Sequence, residues 1–210
     1  MNIDSFSIGG KNYPNEDRLS VQNMGCYGMT AVLADGMGGL NLGYVAADII
    51  TKSVIEFLMK NYRGNDACKF LYKAIEYADK QVRMASIEKR TNMGAAVAVL
   101  IITDNKLFYT WQGNVRIYIR HEGEIQSLTT DHIAKIGYEK TALTRCLKGA
   151  GIREGLPCLC HRLEIGDEVF ICTDGMYKVA EDNLGKLTID EIKKDLESPD
   201  DDASLIWISI

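Results

Sequence analysis

The sequence lacks a long hydrophobic run, and no apolar stretch approaches the roughly 18–20 residues that a membrane-spanning helix requires. Its N-terminus, 1–13, has neither the basic start nor the apolar stretch of a signal peptide. Basic residues are outnumbered, with 24 Lys and Arg against 29 Asp and Glu and a net charge of −5, which argues against a broad nucleic-acid-binding surface. We therefore expect a cytoplasmic protein without membrane or nucleic-acid partners, and we expect a monomer.

The six cysteines form no recognisable ligand pattern. Cys158-Leu159-Cys160-His161 is the one local cluster, and zinc sites usually need a second spaced pair of ligands, which the sequence does not show. The other four are scattered among mostly apolar neighbours, as free buried thiols often are: Cys26, Cys68, Cys146 and Cys172. We therefore expect reduced thiols, as is usual in the cytoplasm, and we disfavour zinc.

The chain has no internal repeat, low-complexity stretch or linker, and its 210 residues predict one domain, 1–210. Apolar alternation and turn residues predict strands at 18–22, 29–34, 95–103, 106–112, 116–120, 125–128, 168–173 and 203–210; helical spacing predicts helices at about 41–62, 66–87 and 188–197. The run 95–103 is apolar almost throughout, so we expect it to be buried on both faces. Asp66 is the expected N-cap of the second helix, and Thr188 with Glu191 the capping box of the third. A strand meander flanked by amphipathic helices predicts an α+β fold with its helices outside.

Two aspartates, each followed by glycine at the end of an apolar run, are the most informative residues. Asp35-Gly36 follows 30–34, and Asp174-Gly175 comes shortly after 169–171. A carboxylate at the end of a buried strand, beside backbone that an ion can approach closely, is a rigid oxygen ligand. The acidic run 200–202 offers a third contribution, and an oxygen-only set favours Mg²⁺ or Mn²⁺ over zinc. Simpler interpretations exist, because Asp-Gly is a common turn and an acidic run is usually a solvated chain end.

Short motifs that include these residues occur from one end of the chain to the other. They are NED (15–17), ADGMGG (34–39), MGAA (93–96), GNVR (113–116), LTTDH (128–132), ALTR (142–145), ICTDG (171–175) and DDAS (201–204). In sequence and order they resemble the metal-dependent type 2C serine/threonine protein phosphatases, and their bacterial branch in particular. The similarity covers about residues 5–210. One such motif is weak evidence, whereas eight in family order are specific.

This resemblance implies a four-layer α-β-β-α sandwich, in which two stacked antiparallel sheets are flanked by helices and metal ions lie at one edge. It also implies hydrolysis of phosphoserine and phosphothreonine on proteins by a metal-activated water, with two Mn²⁺ or Mg²⁺ ions and a bacterial serine/threonine kinase as the cognate partner. The implied catalytic residues are Asp35, which bridges the ions, Asp174, and Asp17, which holds water in the next shell. The implied metal ligands are Glu16, Asp35, the Gly36 carbonyl, Asp174 and Asp201.

Four departures from the family pattern concern the substrate and the metal. Asn12 replaces the usual phosphate-binding arginine, and the neighbouring Lys11 lacks the planar fork of an arginine. Asn114 stands where an aspartate helps to hold a third ion, so that ion is expected to bind weakly or not at all. Lys178 stands where an acidic residue is common, and Lys11 and Lys178 are the candidate contacts to the substrate phosphate. The flap, about 133–141, is short, which predicts an open site with modest sequence selectivity.

Two other functions stay open at this stage. The missing arginine and Asn114 favour a pseudophosphatase that acts as a regulatory binding module, although the retained acidic ligands argue for an active enzyme. A hydrolase for small phosphorylated molecules fits an open site, since a fold alone does not fix function. We choose Asp201 within the acidic run because its spacing to Ser204 matches the family's Asp-Asn-x-Thr pattern. Asp131 and His132 are expected to be structural, and Arg116 to pair near the sheet rather than bind substrate.

Overall fold

Strands dominate the computed structural model, which describes residues 1–11, 14–37, 42–136, 141–152, 155–197 and 199–210. The strands are β1 (Asn2–Ile8), β2 (Asp17–Asn23), β3 (Met29–Gly36), β4 (Ala95–Thr103), β5 (Lys106–Gln112), β6 (Arg116–His121), β7 (Glu124–Ser127), β8 (Ile133–Lys135), β9 (Thr141–Leu143), β10 (Leu159–Arg162), β11 (Glu168–Cys172) and β12 (Ala203–Ser209). The α-helices are α1 (Gly43–Asn61), α2 (Ala67–Lys89), α3 (Asp174–Ala180) and α4 (Ile189–Asp195). Within these ranges no helix has both the length and the apolar character needed to cross a membrane.

The strands form two five-stranded antiparallel sheets and one short ribbon. The first sheet has the order β1-β12-β11-β6-β7, the second has the order β10-β5-β4-β3-β2, and the ribbon pairs β8 with β9. Between β4 and β5, Asp104 and Asn105 both have positive φ, the conformation that a two-residue hairpin turn requires. The strands of the expected meander are present, but they do not form one continuous meander. β4 and β5 pair in the second sheet and β6 and β7 pair in the first, so the Gly113-Asn114 segment leads from one sheet to the other.

Three apolar cores separate four layers. The first core lies between α1, α2 and the second sheet, the next between the two sheets, and the last between the first sheet and α3 with α4. Side-chain alternation explains this arrangement, because on β4 Val97 and Val99 face the helices whereas Ala98 and Leu100 face the other sheet. The predicted four-layer α+β sandwich is confirmed, as is the burial of 95–103 on both faces.

The predicted helix caps are correct. Asp66 accepts a hydrogen bond from the Lys69 amide, and Thr188 with Glu191 forms a complete capping box.

The elements that the sequence did not reveal are short or lie at the edges of the sheets. β1 and β10 are edge strands with mostly exposed side chains, so their sequences lack apolar alternation. α3 has only seven residues, β8 and β9 three each. Asn12, 38–41 and the flap residues 137–140 lie outside the described ranges.

The expectation that all the cysteines are free thiols is wrong. Cys68, in the first turn of α2, forms a disulfide with Cys158, 90 residues later. The sequence could not show this pair, because the two residues meet only when α2 packs on the second sheet, where Cys158 leads into the edge strand β10. Cys172 is buried as expected, whereas Cys26 and Cys160 are exposed free thiols.

Candidate metal centre

Acidic side chains from both sheets meet at one end of the sandwich. Asp35 lies near the end of β3, directly opposite Asp17 at the start of β2. Asp174 follows β11, and Asp201 precedes β12, which is the neighbouring strand. Burial, and then the charges of Asp17 and three other aspartates, raise the pKa of Asp35 well above its usual range, so these carboxylates lie close together. We call this group the acidic cluster: Glu16, Asp17, Asp35, Asp174, Asp201 and Asp202.

Asp17 is buried, and only one of its two carboxylate oxygens accepts a hydrogen bond from a described residue. The Thr173 hydroxyl donates to Asp17 Oδ2 over 2.9 Å, and the Ser204 amide donates to the same hydroxyl over 2.9 Å. Asp17 Oδ1 is also buried, and among the described residues it has no hydrogen-bond partner. Burial raises the pKa of Asp17, although hydrogen bonds from Ser204 and Thr173 oppose the rise. A buried carboxylate oxygen without a partner is costly, so this atom fits a site that receives water or a cation.

The three consecutive aspartates before β12 have three different environments. Asp200 is exposed and forms an ion pair with Lys11. Asp202 accepts hydrogen bonds from the Gly10 amide over 2.8 Å and from the Glu16 amide over 2.7 Å. Partial burial, followed by the charge of Asp174, raises the pKa of Asp201. Asp202 therefore braces the backbone, and Asp201, which lies within electrostatic reach of Asp174, stays the predicted metal ligand of the run.

Two glycines allow the backbone segments of the acidic cluster to touch. A Cβ atom on Gly36 would lie 2.5 Å from the Gly43 carbonyl carbon and 2.8 Å from Glu16 Cβ. A Cβ atom on Gly175 would lie 2.3 Å from the Asp202 carbonyl oxygen. Real Cβ atoms do not approach so closely, so glycine is required after both Asp35 and Asp174 for a packing reason.

Glu16 reaches the same region from the segment before β2. Burial raises the pKa of Glu16, whereas hydrogen bonds from the backbone of Tyr44 and Gly43, at the start of α1, lower it. The Glu16 carboxylate therefore lies at the N-terminus of α1, where amide groups and the helix dipole stabilise negative charge. A carboxylate has about four acceptor positions, so these contacts leave room for an ion on the other oxygen lone pairs.

Two donors already contact Asp174. Lys178 Nζ lies 2.6 Å from Asp174 Oδ2, and Asn114 Nδ2 donates to the same oxygen over 3.2 Å. The Oδ1 atom of Asn114 is buried and has no hydrogen-bond partner within the described part of the chain. The amide predicted to weaken a third ion therefore holds a predicted ligand in place, and its own oxygen still lacks a partner.

The acidic cluster has the composition of a metal site, but its described side chains are too far apart to coordinate an ion together. Among the described residues, no three His, Cys, Asp or Glu side chains converge closely enough to hold an ion as they stand. Carboxylates of equal charge repel one another, and this repulsion adds to burial, the larger cause, in raising the pKa values of Asp35 and Asp201. The oxygen-only donors, the unpartnered Asp17 Oδ1 and the glycine contacts fit Mg²⁺ or Mn²⁺.

Beside the acidic cluster, Arg116 anchors the segment that precedes the ribbon β8–β9. Its Nε and Nη2 atoms donate to the two carboxylate oxygens of Asp131 over 3.0 and 2.9 Å, and its guanidinium lies 3.8 Å from the centroid of the Tyr177 ring. The Gly113 amide donates to His132 Nδ1 over 3.1 Å, and the His132 ring stacks on Trp111. These contacts give Arg116, Asp131 and His132 structural roles, and the expectation that they take no part in catalysis or substrate binding stays a prediction.

Removal of the Arg116 guanidinium should destabilise the fold. In Arg116→Met, Asp131 remains largely buried but loses its ion-pair partner, so we expect the free energy of unfolding to fall by about 2–3 kcal/mol. This is less than the cost of breaking a deeply buried pair, because Arg116 is partly exposed. For a chain of this length that corresponds to a fall in Tm of about 5–10 °C, measurable by thermal unfolding. The double variant Arg116→Met/Asp131→Asn should recover part of the loss, and a double variant less stable than Arg116→Met would contradict this explanation.

Sequence reasoning missed three supports of the site. Thr173 and Asp202 hold Asp17 and the backbone of Glu16, but neither lies in a pattern that distinguishes a brace from an ordinary polar residue. The contact between Lys178 and Asp174 could have been found, because residues four apart on a helix face the same side. It was missed because α3 was not predicted.

Sequence comparison with known proteins places this chain in one family. Residues 8–203 match the protein phosphatase 2C family. A protein described as protein phosphatase 2C-type from Streptococcus pyogenes is 24% identical over 214 residues, which span 90% of this chain and 86% of that protein. The serine/threonine protein phosphatase PstP of Mycobacterium tuberculosis is 25% identical over 181 residues, which span 76% of this chain and 34% of PstP.

Solved structures show the same architecture. The serine/threonine phosphatase Stp1 from Staphylococcus aureus has a TM-score of 0.86 at 19% identity, covering 99% of this chain and 94% of that one. The catalytic domain of PstP in complex with two manganese ions has a TM-score of 0.80 at 21% identity, covering 98% and 96%. The chain therefore belongs to the protein phosphatase 2C family, whose members are serine/threonine protein phosphatases. The family and the enzyme class expected from the motif order are confirmed.

Proposed function

We propose that this protein removes phosphate from phosphoserine and phosphothreonine in proteins, with two Mn²⁺ or Mg²⁺ ions held by the acidic cluster. The observation that carries this proposal is that Asp35, Asp174 and Asp201 lie within electrostatic reach of one another at one end of the sandwich, beside the buried Oδ1 of Asp17, which has no hydrogen-bond partner among the described residues. The two manganese ions of the PstP catalytic domain, which has the same fold, support the number of ions and the choice of metal.

The proposed roles follow from the position of each side chain. The ions, when bound, supply positive charge to the phosphoryl oxygens and lower the pKa of a water molecule. Asp35, Asp174, Asp201, Glu16 and the Gly36 carbonyl would hold the ions: Asp35 as the ligand common to both, Asp174 and Asp201 for one, and Glu16 and the Gly36 carbonyl for the other. Asp17 Oδ1 would accept a hydrogen bond from the attacking water and thereby orient it, because Oδ2 already accepts a hydrogen bond from Thr173.

The substrate side of the site is proposed to be open and weakly selective. A cleft of about 440 Å³ lies beside the ribbon β8–β9 and is lined by Gln112, His132, Arg145, Lys148 and Ile152, among others. It borders the Gly113-Asn114 turn that contacts Asp174, so a peptide in it would lead towards the acidic cluster. Lys11 and Lys178 are the proposed contacts to the substrate phosphate. We propose that residues 1–210 act as one monomeric, cytoplasmic catalytic domain that opposes a cognate kinase.

A second candidate, a binding module without turnover, is favoured by two observations. Lys178 and Asn114 occupy the Asp174 oxygen that a metal ion requires, and Asn12 replaces the usual phosphate-binding arginine. If these contacts persist in the presence of metal, the fold would bind phosphoproteins without hydrolysing them.

Phosphate release from a phosphothreonine peptide, a phosphotyrosine peptide and a small aryl phosphate distinguishes the candidates. We expect turnover of the phosphothreonine peptide with Mn²⁺ or Mg²⁺, little turnover of the phosphotyrosine peptide, and none with EDTA. Preference for the aryl phosphate at equal concentration would indicate a small-molecule hydrolase. A folded protein that binds the phosphopeptide but releases no phosphate with any metal would establish the binding module and refute the proposed enzyme.

A further inference from the structure

A lysine ammonium contacts the carboxylate of Asp174, one of the proposed metal ligands. Asp174 is the first residue of α3, and Lys178 stands one turn later on the same face of that helix. The Lys178 Nζ atom lies 2.6 Å from Asp174 Oδ2, a short distance for an ion pair. Asp174 is largely buried in this pair, whereas Lys178 reaches it from a position that is 60% exposed.

The ammonium also acts on the rest of the acidic cluster. Partial burial lowers the pKa of Lys178, but the hydrogen bond to Asp174 and the charges of Asp174, Asp201 and Asp35 outweigh this effect, and the pKa is raised. Lys178 therefore lies within electrostatic reach of three of the proposed metal ligands. Among the described residues, no other lysine forms an ion pair with Asp17, Asp35, Asp174 or Asp201.

We propose that Lys178 is a tethered cation that competes with the catalytic metal ion for Asp174. This inference rests on the proposed metal centre and deepens it. In the metal-free protein, Lys178 neutralises part of the repulsion within the acidic cluster. When an ion is bound, the same ammonium is repelled and must leave Asp174 for solvent, which a flexible and exposed lysine side chain allows. Metal affinity at this side of the site is therefore lower than the ligands alone would give, and loading depends on the concentration of free metal.

This competition predicts effects of opposite sign in the two states of the protein. Lys178→Met removes the charge and keeps the length of the side chain. Without metal, the cluster then loses the ammonium that is paired with Asp174, and Tm in EDTA should fall by about 2–4 °C. With Mn²⁺, the competitor is gone, and the dissociation constant should fall by about tenfold, the scale on which residues around metal ligands alter affinity. A side chain with a merely structural role would not weaken one state and strengthen the other.

Two variants serve as controls. Lys178→Arg keeps the charge at this position and should bind Mn²⁺ as weakly as the wild type. Lys52→Met removes the same formal charge from a matched pair, since Lys52 and Asp48 are also four apart on a helix and 2.7 Å apart, but on α1 and away from the acidic cluster. It should change neither the Mn²⁺ affinity nor the difference in Tm between EDTA and Mn²⁺.

Two measurements on wild type and Lys178→Met test the proposed competition. Isothermal titration calorimetry gives the Mn²⁺ affinity, and thermal unfolding gives Tm with EDTA or Mn²⁺. Tighter Mn²⁺ binding in Lys178→Met, with lower stability in EDTA, supports the competition. Equal Mn²⁺ affinity in Lys178→Met and wild type overturns it and leaves the proposed metal centre intact. Absence of Mn²⁺ binding in both proteins overturns the metal centre itself, and the competition with it.

Discussion

Asp35→Asn is expected to lower the turnover of a phosphothreonine peptide by at least about a hundredfold. Substitution of residues that merely support metal ligands already lowers metal affinity or activity by about 10–100-fold, and the loss of a ligand itself should be larger. Asparagine keeps the shape of aspartate but supplies a neutral oxygen where the proposed ligand set needs a charge shared between two ions. Asp174→Asn should have a similar effect, since this side chain is the proposed ligand of the first ion. Phosphate release under saturating Mn²⁺ measures both variants.

A second measurement separates loss of the site from loss of the fold. The pKa of Asp35 is raised by burial and by the neighbouring aspartates, so a charged Asp35 destabilises the folded protein above its ordinary pKa. Neutral asparagine removes this repulsion, and the metal-free Asp35→Asn variant should therefore be as stable as wild type at pH 8, or more stable. The stabilisation by Mn²⁺ should be lost. Asp48→Asn, on the exposed face of α1, is the matched control and should behave as wild type. Turnover close to wild type in Asp35→Asn or Asp174→Asn would refute the site.

The layered fold was predictable because the apolar sequences of its central strands indicate that these strands are buried. β3 and β4 are apolar on both faces, which only a strand between two layers can be, and α2 shows its N-cap and its apolar stripe directly. Edge strands carry no such information, since one side of β1 and of β10 has no neighbouring strand and most of their side chains are exposed. The disulfide between Cys68 and Cys158 depends on the packing of α2 against the second sheet, a contact that no local pattern encodes.

For the site, the sequence indicated which residues meet but not how they are held. Asp35-Gly36 and Asp174-Gly175 are visible because a carboxylate and a glycine at the end of an apolar strand form a local pattern. The bracing of Glu16 by Asp202, 186 residues away, requires the whole sandwich to be assembled. The same holds for the hydroxyl of Thr173, which sits between Asp17 and Ser204. Local sequence patterns thus indicate the proposed ligands, whereas long-range packing decides their geometry.

Gly175→Ala is expected to impair both stability and turnover, although it adds one methyl group and removes no ligand. The new Cβ would lie 2.3 Å from the Asp202 carbonyl oxygen and 3.0 Å from the Asp201 carbonyl oxygen, so α3 and the segment before β12 must separate. Overpacking of this kind costs about 1–3 kcal/mol. The same separation moves Asp174 away from Asp201, and a displacement of about 1 Å between catalytic groups can cost about a hundredfold in rate. Thermal unfolding and phosphate release from the phosphothreonine peptide measure the two effects.

The control for this substitution is Gly155→Ala, because a Cβ atom there would meet nothing within 4 Å and the backbone does not need a positive φ. It should leave stability and turnover unchanged. If Gly175→Ala loses stability but keeps full turnover, the distance between Asp174 and Asp201 does not limit the reaction, and the two carboxylates do not share an ion. If it loses turnover by more than its stability explains, and higher Mn²⁺ restores part of the rate, the glycine acts by holding the two proposed ligands at the distance that one ion requires.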